Sequence, residues 1–191
     1  DLRNSRYEPS SGYKTTFSQE LPMISSNNEI SNTLTFTKYK MLSQSSDMIG
    51  KASLYLKAIN SLDGSDVRIS KRGFVPYYRL RGFEKGKIGP VENSSYIGGN
   101  YVGALNLSTN LPGILTTVEN IDFAYFIDFA NVWGVDYDSS INDSFKIRSS
   151  TGIGLDVLTP VGPLSFSFSK PILKQSTDKT EGFRFNLGTT F

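Results

Sequence analysis

The sequence predicts an all-β protein, an antiparallel transmembrane β-barrel that occupies residues 1–191 as a single domain. Three observations predict this fold. Apolar and small polar residues alternate with period two in several segments, as they do in strands that have one apolar face. Those segments are long enough to cross a membrane as strands, for which about 9–11 residues suffice. The mean hydropathy is −0.26, and no stretch approaches the ~18 apolar residues that a membrane helix requires.

Eight strands are predicted from this alternation. It is clearest at residues 165–169, where Ser and Phe exchange at every position, and it recurs at 33–37, 53–57 and 183–191. The 10 Tyr, 13 Phe and 17 Gly suit such strands, because aromatic side chains pack on pleated surfaces and Gly serves turns and kinks. The predicted strands are 12–24, 30–42, 48–61, 98–110, 119–133, 145–159, 163–174 and 180–191.

The connections between these strands differ in length according to the side on which they lie. The links after the second, fourth and sixth strands are short, whereas both long polar links, 62–97 and 134–144, fall on the opposite side. Short periplasmic turns and longer extracellular loops are typical of outer-membrane barrels. Because a loop of more than ~15 residues is usually functional, the long extracellular loop at about 62–97 is the first candidate for a functional segment.

Parity along the strands predicts which side chains face lipid. In a membrane barrel, apolar side chains point outward and polar ones point toward the lumen. A soluble β-sandwich is the alternative; it would also alternate, but its apolar face would point into a shared core and its strands would be shorter. The residues expected to face lipid are Phe123, Tyr125, Ile127, Leu164, Phe166, Phe168, Phe183, Phe185 and Leu187.

The composition argues against several classes of function. The chain has no Cys and no His, so thiolate chemistry, the commonest metal ligand and the usual general base near neutral pH are all missing. An enzyme is therefore disfavoured, although Asp, Glu, Lys and Tyr could still do chemistry. The net charge is only +2, and the scattered basic residues form no stripe that would bind nucleic acid.

Two segments imitate ligand-binding motifs. Residues 152–154 read Gly-Ile-Gly, but they lack the third glycine and the strand-to-helix setting of a phosphate loop. Residues 136–140 resemble the start of a calcium loop, but Ile141 and Ile147 stand where such a loop needs Gly and Glu. We therefore predict an acidic surface loop at 136–140, and no metal or cofactor site in the chain.

A set of short motifs follows one order along the chain. The long connection contains Arg-Leu-Arg-Gly-Phe at 79–83, Ile-Gly-Pro at 88–90 and Gly-Gly-Asn at 98–100. Further motifs are Asp-Leu-Arg-Asn at 1–4, Phe-Ile-Asp at 126–128, Pro-x-Gly-Pro-Leu at 160–164 and the aromatic segment 185–191. Together they resemble the last eight strands of the barrel of BamA-like outer-membrane protein assembly factors, and the resemblance covers the whole chain. The eight strands are then part of a sixteen-stranded barrel, or a reduced barrel that closes on itself.

The resemblance implies that the long connection folds back into the lumen through its Arg-Gly-Phe motif. Arg81 would meet acidic and aromatic groups of the inner wall, where parity places Asp128 on the same face as Phe126. A guanidinium can make two charge-assisted hydrogen bonds with one carboxylate, so we expect Arg81 to pair with Asp128. Gly82 would allow close backbone approach, and Phe83 would pack in the lumen. A solvated loop arginine is the alternative.

The chain departs from the family pattern at two places near this motif. Pro76-Tyr77 stand where the family usually has paired glycines, and Ser108 stands where it often carries an inward Glu. Asp128 is therefore expected to be the one acidic partner of Arg81.

The C-terminal strand resembles the signal by which the assembly machinery recognises barrels. The residues that would carry the signal are Phe183, Phe185, Leu187, Gly188 and Phe191. Gly188 would also weaken the ladder, which fits a strand edge that can open. Ordinary interfacial anchoring by a terminal aromatic is the alternative.

The resemblance implies an assembly factor of the bacterial outer membrane that folds and inserts other β-barrel proteins. Its implied partners are outer-membrane lipid, unfolded β-barrel clients and accessory assembly lipoproteins. Physically, an unpaired strand edge is a template on which a client strand can pair. A passive pore or structural barrel, and a secretion transporter of the same superfamily, are the alternatives. A wide polar lumen without an inward loop would favour the pore.

Overall fold

The computed structural model describes residues 1–6, 8–22, 28–112, 121–159 and 162–187. Its main feature is an antiparallel sheet of eight strands. We call residues 62–100 the long loop; it contains a two-stranded hairpin and two 3-10 helices, Ile69–Lys71 and Tyr77–Arg79. The strands are β1 (Gly12–Glu20), β2 (Glu29–Ser43), β3 (Met48–Ser61), β4 (Val91–Glu92), β5 (Ser95–Tyr96), β6 (Tyr101–Asn110), β7 (Ile121–Trp133), β8 (Arg148–Thr159), β9 (Gly162–Leu173) and β10 (Phe183–Leu187).

The order of strands in the sheet follows the chain, β1-β2-β3-β6-β7-β8-β9-β10, and all neighbours are antiparallel. In the part of the chain that the structure describes, β1 pairs only with β2 and β10 only with β9. The predicted all-β antiparallel fold is confirmed, and these strands form an open section of barrel wall. The described residues contain no candidate for a helical membrane span.

Several strand ends differ from the prediction. β6 begins at Tyr101 rather than 98, because Gly99 exchanges backbone hydrogen bonds of 2.7 and 3.0 Å with Gly73 of the long loop. β8 begins at Arg148 rather than 145, and β1 ends at Glu20. Residues 23–24, 119–120 and 188–191 of the predicted strands lie outside the described residues, as do 160–161 of the predicted Pro-x-Gly-Pro turn.

Side chains alternate between an inner face, on which the long loop packs, and an outer face. On the inner face Ser165 and Ser167 are fully buried, whereas Phe168 on the outer face is 57% exposed. Of the nine residues expected to face lipid, five are exposed (Tyr125, Phe168, Phe183, Phe185, Leu187) and four are half-buried (Phe123, Ile127, Leu164, Phe166). On β9 and β10 polar residues therefore line the inside and apolar residues most of the outside, the reverse of a soluble sandwich.

The hydrophobic core lies between the long loop and the inner face of β6 and β7. The loop contributes Val75, Leu80, Phe83 and Ile88, and the sheet contributes Val102, Ala104, Ala130 and Val132. The alanines on the strands leave room for the larger loop side chains. Because half of this core comes from the loop, the loop is a packed element of the fold and not a solvated connection.

Candidate functional site

The Arg-Gly-Phe segment of the long loop lies against the inner face of β7. Arg81 and Asp128 form a two-pronged pair: Nε donates to Oδ2 at 2.7 Å and Nη2 donates to Oδ1 at 2.8 Å. The Arg81 side chain is 5% exposed and that of Asp128 is 0% exposed. The guanidinium carbon also stands 3.4 Å from the centre of the Phe126 ring. The loop thus buries a positive charge, and the wall supplies a carboxylate and an aromatic face for it.

Asp128 receives more hydrogen bonds than the guanidinium provides. The backbone N–H of Arg81 donates to Oδ2 at 3.2 Å, and the side-chain amide of Asn106 donates to Oδ1 at 2.8 Å. These donors satisfy the lone pairs of a carboxylate that is fully buried, so its removal from water is compensated. Asn106 and Asp128 are direct cross-strand neighbours in β6 and β7, so the strand pairing itself sets their contact.

Asn106 is a residue that the sequence analysis missed. Ser108, which stands at the position of the family's inward Glu, lies two residues further along the same face of β6. Asn106 also binds the loop, because its amide donates to the Arg79 carbonyl at 2.8 Å and its oxygen accepts from Arg79 Nη1 at 3.3 Å. Inward parity with Asp128 is the signal that could have identified it.

Gly82 and Phe83 continue the contact toward β8 and β10. Gly82 has φ +88°, and a Cβ there would lie 3.0 Å from Cβ of Ser150. The hydroxyl of Ser150 donates to the Arg81 carbonyl, which fixes the backbone on the other side of the turn. Phe83 is only 2% exposed. Glycine is therefore needed here both for its backbone conformation and for the close approach to the wall.

Arg184 of β10 forms a second clamp on the loop, and nothing in the sequence analysis singled it out. Its Nη2 donates to the Phe83 carbonyl at 2.6 Å, and its Nη1 donates to the Tyr77 carbonyl. The side chain also pairs with Glu181. Residue 184 alternates with the exposed Phe183 and Phe185, so its inward direction follows from the same parity that predicted the lipid face.

A third contact joins the long loop to the segment that follows β7. Arg72, whose side chain is 0% exposed, lies 2.8 Å from Asp136, and Asp136 also accepts from the Val67 N–H and the Asn100 amide, both at 2.9 Å. Burial raises the pKa of Asp136, but these hydrogen bonds and the charge of Arg72 outweigh it and hold the pKa below its ordinary value. The predicted acidic surface loop at 136–140 therefore begins with a carboxylate that anchors the long loop.

A buried ion pair joins the first residue of β8 to the connection between β9 and β10. Arg148 Nε lies 3.0 Å from Asp178 Oδ2, with side chains 5% and 0% exposed. Its Nη1 donates to Asn131 at 2.6 Å. Among the described residues, no group of three or more His, Cys, Asp or Glu is placed to hold a metal ion. The arrangement consists of structural ion pairs around a docked loop.

The residues predicted as a C-terminal recognition strand are described only in part. Phe183, Phe185 and Leu187 lie on the outer face of β10 and are 51%, 50% and 63% exposed. They pack on β9, where Phe166 lies 5.2 Å from Phe185 between ring centres. Gly188 and Phe191 lie outside the described residues.

Comparison with known proteins agrees with this fold. The model of the Omp85 superfamily domain matches residues 1–191. The outer membrane protein assembly factor BamA of Neorickettsia risticii (strain Illinois) is 29% identical over 150 residues, which are 76% of this chain and 20% of that protein. The protein of the same name from Neisseria meningitidis serogroup B is 29% identical over 142 residues, 59% of this chain and 17% of its own length.

A solved structure agrees over nearly the whole chain. The crystal structure of BamA from Haemophilus ducreyi lacking POTRA domains 1–3 superposes with a TM-score of 0.84 at 28% identity, over 97% of this chain and 40% of the crystallised one. This chain therefore spans about a fifth of the curated relatives that it matches and two fifths of the solved one. The resemblance to a section of a BamA-like barrel is confirmed, and the chain belongs to the Omp85 superfamily.

Proposed function

We propose that this chain forms the C-terminal wall of an outer-membrane barrel that folds and inserts other β-barrel proteins. The observation that carries the proposal is the docked long loop, held by the Arg81–Asp128 pair in a fold that matches BamA over nearly the whole chain. In this proposal the protein lies in the bacterial outer membrane, its short turns face the periplasm, and the long loop enters the barrel from the extracellular side.

The physical basis of the proposed activity is a barrel wall with an edge that can pair. β10 has only one neighbour among the described residues, and its ladder with β9 covers five residues, Phe183–Leu187. The unpaired edge of such a strand offers free backbone N–H and C=O groups, with which an incoming strand can pair by β-augmentation. The proposed partners are unfolded barrel clients, membrane lipid and accessory assembly lipoproteins.

The docked loop supports insertion over the passive-pore alternative. A pore needs an open polar lumen, whereas here Leu80, Phe83 and Ile88 cover the inner face of β6 and β7. In the proposed mechanism the loop stiffens the wall from inside, so that opening is confined to the terminal strands. The ion pairs of the site have a positioning role and carry out no chemistry.

The test is client insertion by the full-length protein in liposomes. An unfolded barrel client is added, and its folding is followed by heat-modifiable migration and by protease protection. We expect faster client folding than in liposomes that hold an unrelated outer-membrane barrel. Equal rates in the two preparations would contradict the proposal, and a steady conductance across the same membranes would favour the pore.

A further inference from the structure

The outer face of the sheet carries a groove where β2, β3 and β6 meet, near the 44–47 turn. The strand pairing sets its floor: Ala52 of β3 is the neighbour of Lys38 on β2 and of Leu107 on β6. Two residues nearer the turn, on the same face of the sheet, Gly50 of β3 is the neighbour of Lys40 on β2. Because Ala has almost no side chain, the surface is depressed at Ala52, whereas the Leu42 side chain lies over Gly50 and forms one wall of the groove. The groove has a volume of about 460 Å³, and its surface is almost entirely apolar.

The rim of this groove is positively charged. Lys38 and Lys40 are exposed, and neither forms an ion pair with any described residue. By parity, the charged outer-face positions in the described strands are these two lysines and Lys170, near the opposite end of β9. The carboxylates of the described strands all point inward. A ligand of this groove therefore meets an apolar floor and two ammonium groups, with no carboxylate from the strands beside them; the nearest acidic residue in the sequence is Asp47 of the adjoining turn.

We propose that the groove binds an anionic phospholipid, with an acyl chain over Ala52 and against Leu42, and with the phosphate between Lys38 and Lys40. Residues i and i+2 of a strand lie on one face about 7 Å apart, so both ammonium groups can reach the oxygens of one phosphate. The pair lies close to the end of β2, where a strand leaves the hydrocarbon and lysine side chains extend to the headgroups. The inference requires that the outer face lies in a membrane, and it is independent of client insertion.

Lipid binding is tested on the full-length protein by native mass spectrometry in detergent. The protein is titrated with phosphatidylglycerol and, separately, with phosphatidylethanolamine of the same acyl chains. We expect tighter binding of phosphatidylglycerol, because the headgroup of phosphatidylethanolamine carries its own ammonium group. Each surface lysine contributes about fivefold to affinity, so Lys38→Gln together with Lys40→Gln should weaken phosphatidylglycerol binding about thirtyfold. The matched control, Lys170→Gln, should leave it unchanged.

A second variant tests the groove apart from the charge. Ala52→Leu keeps both lysines and an apolar outer face but fills the depression, so it should also abolish the preference for phosphatidylglycerol. Heat-modifiable migration shows that each variant is folded, and client insertion is measured in parallel, so loss of lipid binding is separated from loss of the proposed activity. Equal binding of the two lipids by the wild-type protein, an equal loss in Lys170→Gln, or full binding by Ala52→Leu would overturn the proposal.

Discussion

The pair between Arg81 and Asp128 is the contact to break first. Asp128→Ala removes the acceptor of three hydrogen bonds from Arg81 and one from Asn106, and it leaves a guanidinium that is 5% exposed facing a void. Loss of one partner of a buried pair costs about 3–5 kcal/mol. Arg81→Lys keeps the charge but loses the planar fork and the stacking on Phe126. It should therefore lower the free energy of unfolding, but by less than Asp128→Ala does.

The assay is a double-mutant cycle on Arg81→Ala and Asp128→Ala in the full-length protein. The free energy of unfolding in lipid vesicles is measured by denaturation with guanidinium chloride. Cleavage of the long loop by protease is measured on the same samples. For a contact this buried we expect a coupling of about 1.5–3 kcal/mol and a loop that is cleaved more readily in each single variant. Client insertion should fall in the same variants.

The matched control is the same chemistry with an arginine that reaches water. Arg68 and Glu29 also pair at 2.7 Å, with the Arg68 side chain 45% exposed and that of Glu29 8% exposed. Because water reaches the Arg68 guanidinium, Arg68→Ala should cost less than Arg81→Ala and should leave insertion unchanged. Additivity of the Arg81 and Asp128 effects within about 0.5 kcal/mol would mean that the two residues do not interact, and the docking argument would fail with it.

Three further predictions concern Gly82 in the long loop, Asp136 that binds this loop, and Phe166 on the lipid face. Gly82→Ala should destabilise by about 1–3 kcal/mol, because its φ of +88° is strained for any side chain, and guanidinium unfolding measures this. Asp136 stabilises the fold above its unfolded pKa of about 3.9. Because its folded pKa is lower, that contribution is lost as the pH falls below about 4. In a plot of the unfolding midpoint against pH, Asp136→Asn should therefore reduce the slope below about pH 4. Phe166→Arg on the outer face should cost about 2–4 kcal/mol in lipid vesicles near the bilayer midplane; no loss there would contradict the lipid-face assignment.

Most of the correct predictions about side-chain direction follow from strand parity, the alternation of side chains between the two faces of a strand. The alternation that put Phe183 and Phe185 outside is a local property, because each side chain's face depends only on its own strand. The same rule applied to Asn106 and Arg184 would have placed both inside, but parity says nothing about which distant group a residue meets. Their partners in the long loop became visible only once the loop was seen to dock.

The contact of Asp136 shows the other limit of sequence reasoning. Its segment had the composition of a solvated acidic loop, and no local pattern connects it with Val67, Arg72 or Asn100. These partners are brought together by the end of β7 and by the fold of the long loop. A hydrogen-bond network assembled from four separate places in the chain leaves no spacing in the sequence that a motif could describe.

The clamp from Arg184 has a consequence for the order in which the protein folds. Its two bonds to the long loop close segments of 107 and 101 residues, whereas β2 and β3 need only a short turn to pair. Contacts between distant residues form late, because the entropy of closing the chain must be overcome first. The final docking of the long loop is therefore expected to wait until β10 has paired with β9, so a docked loop signals that β10 is already in place.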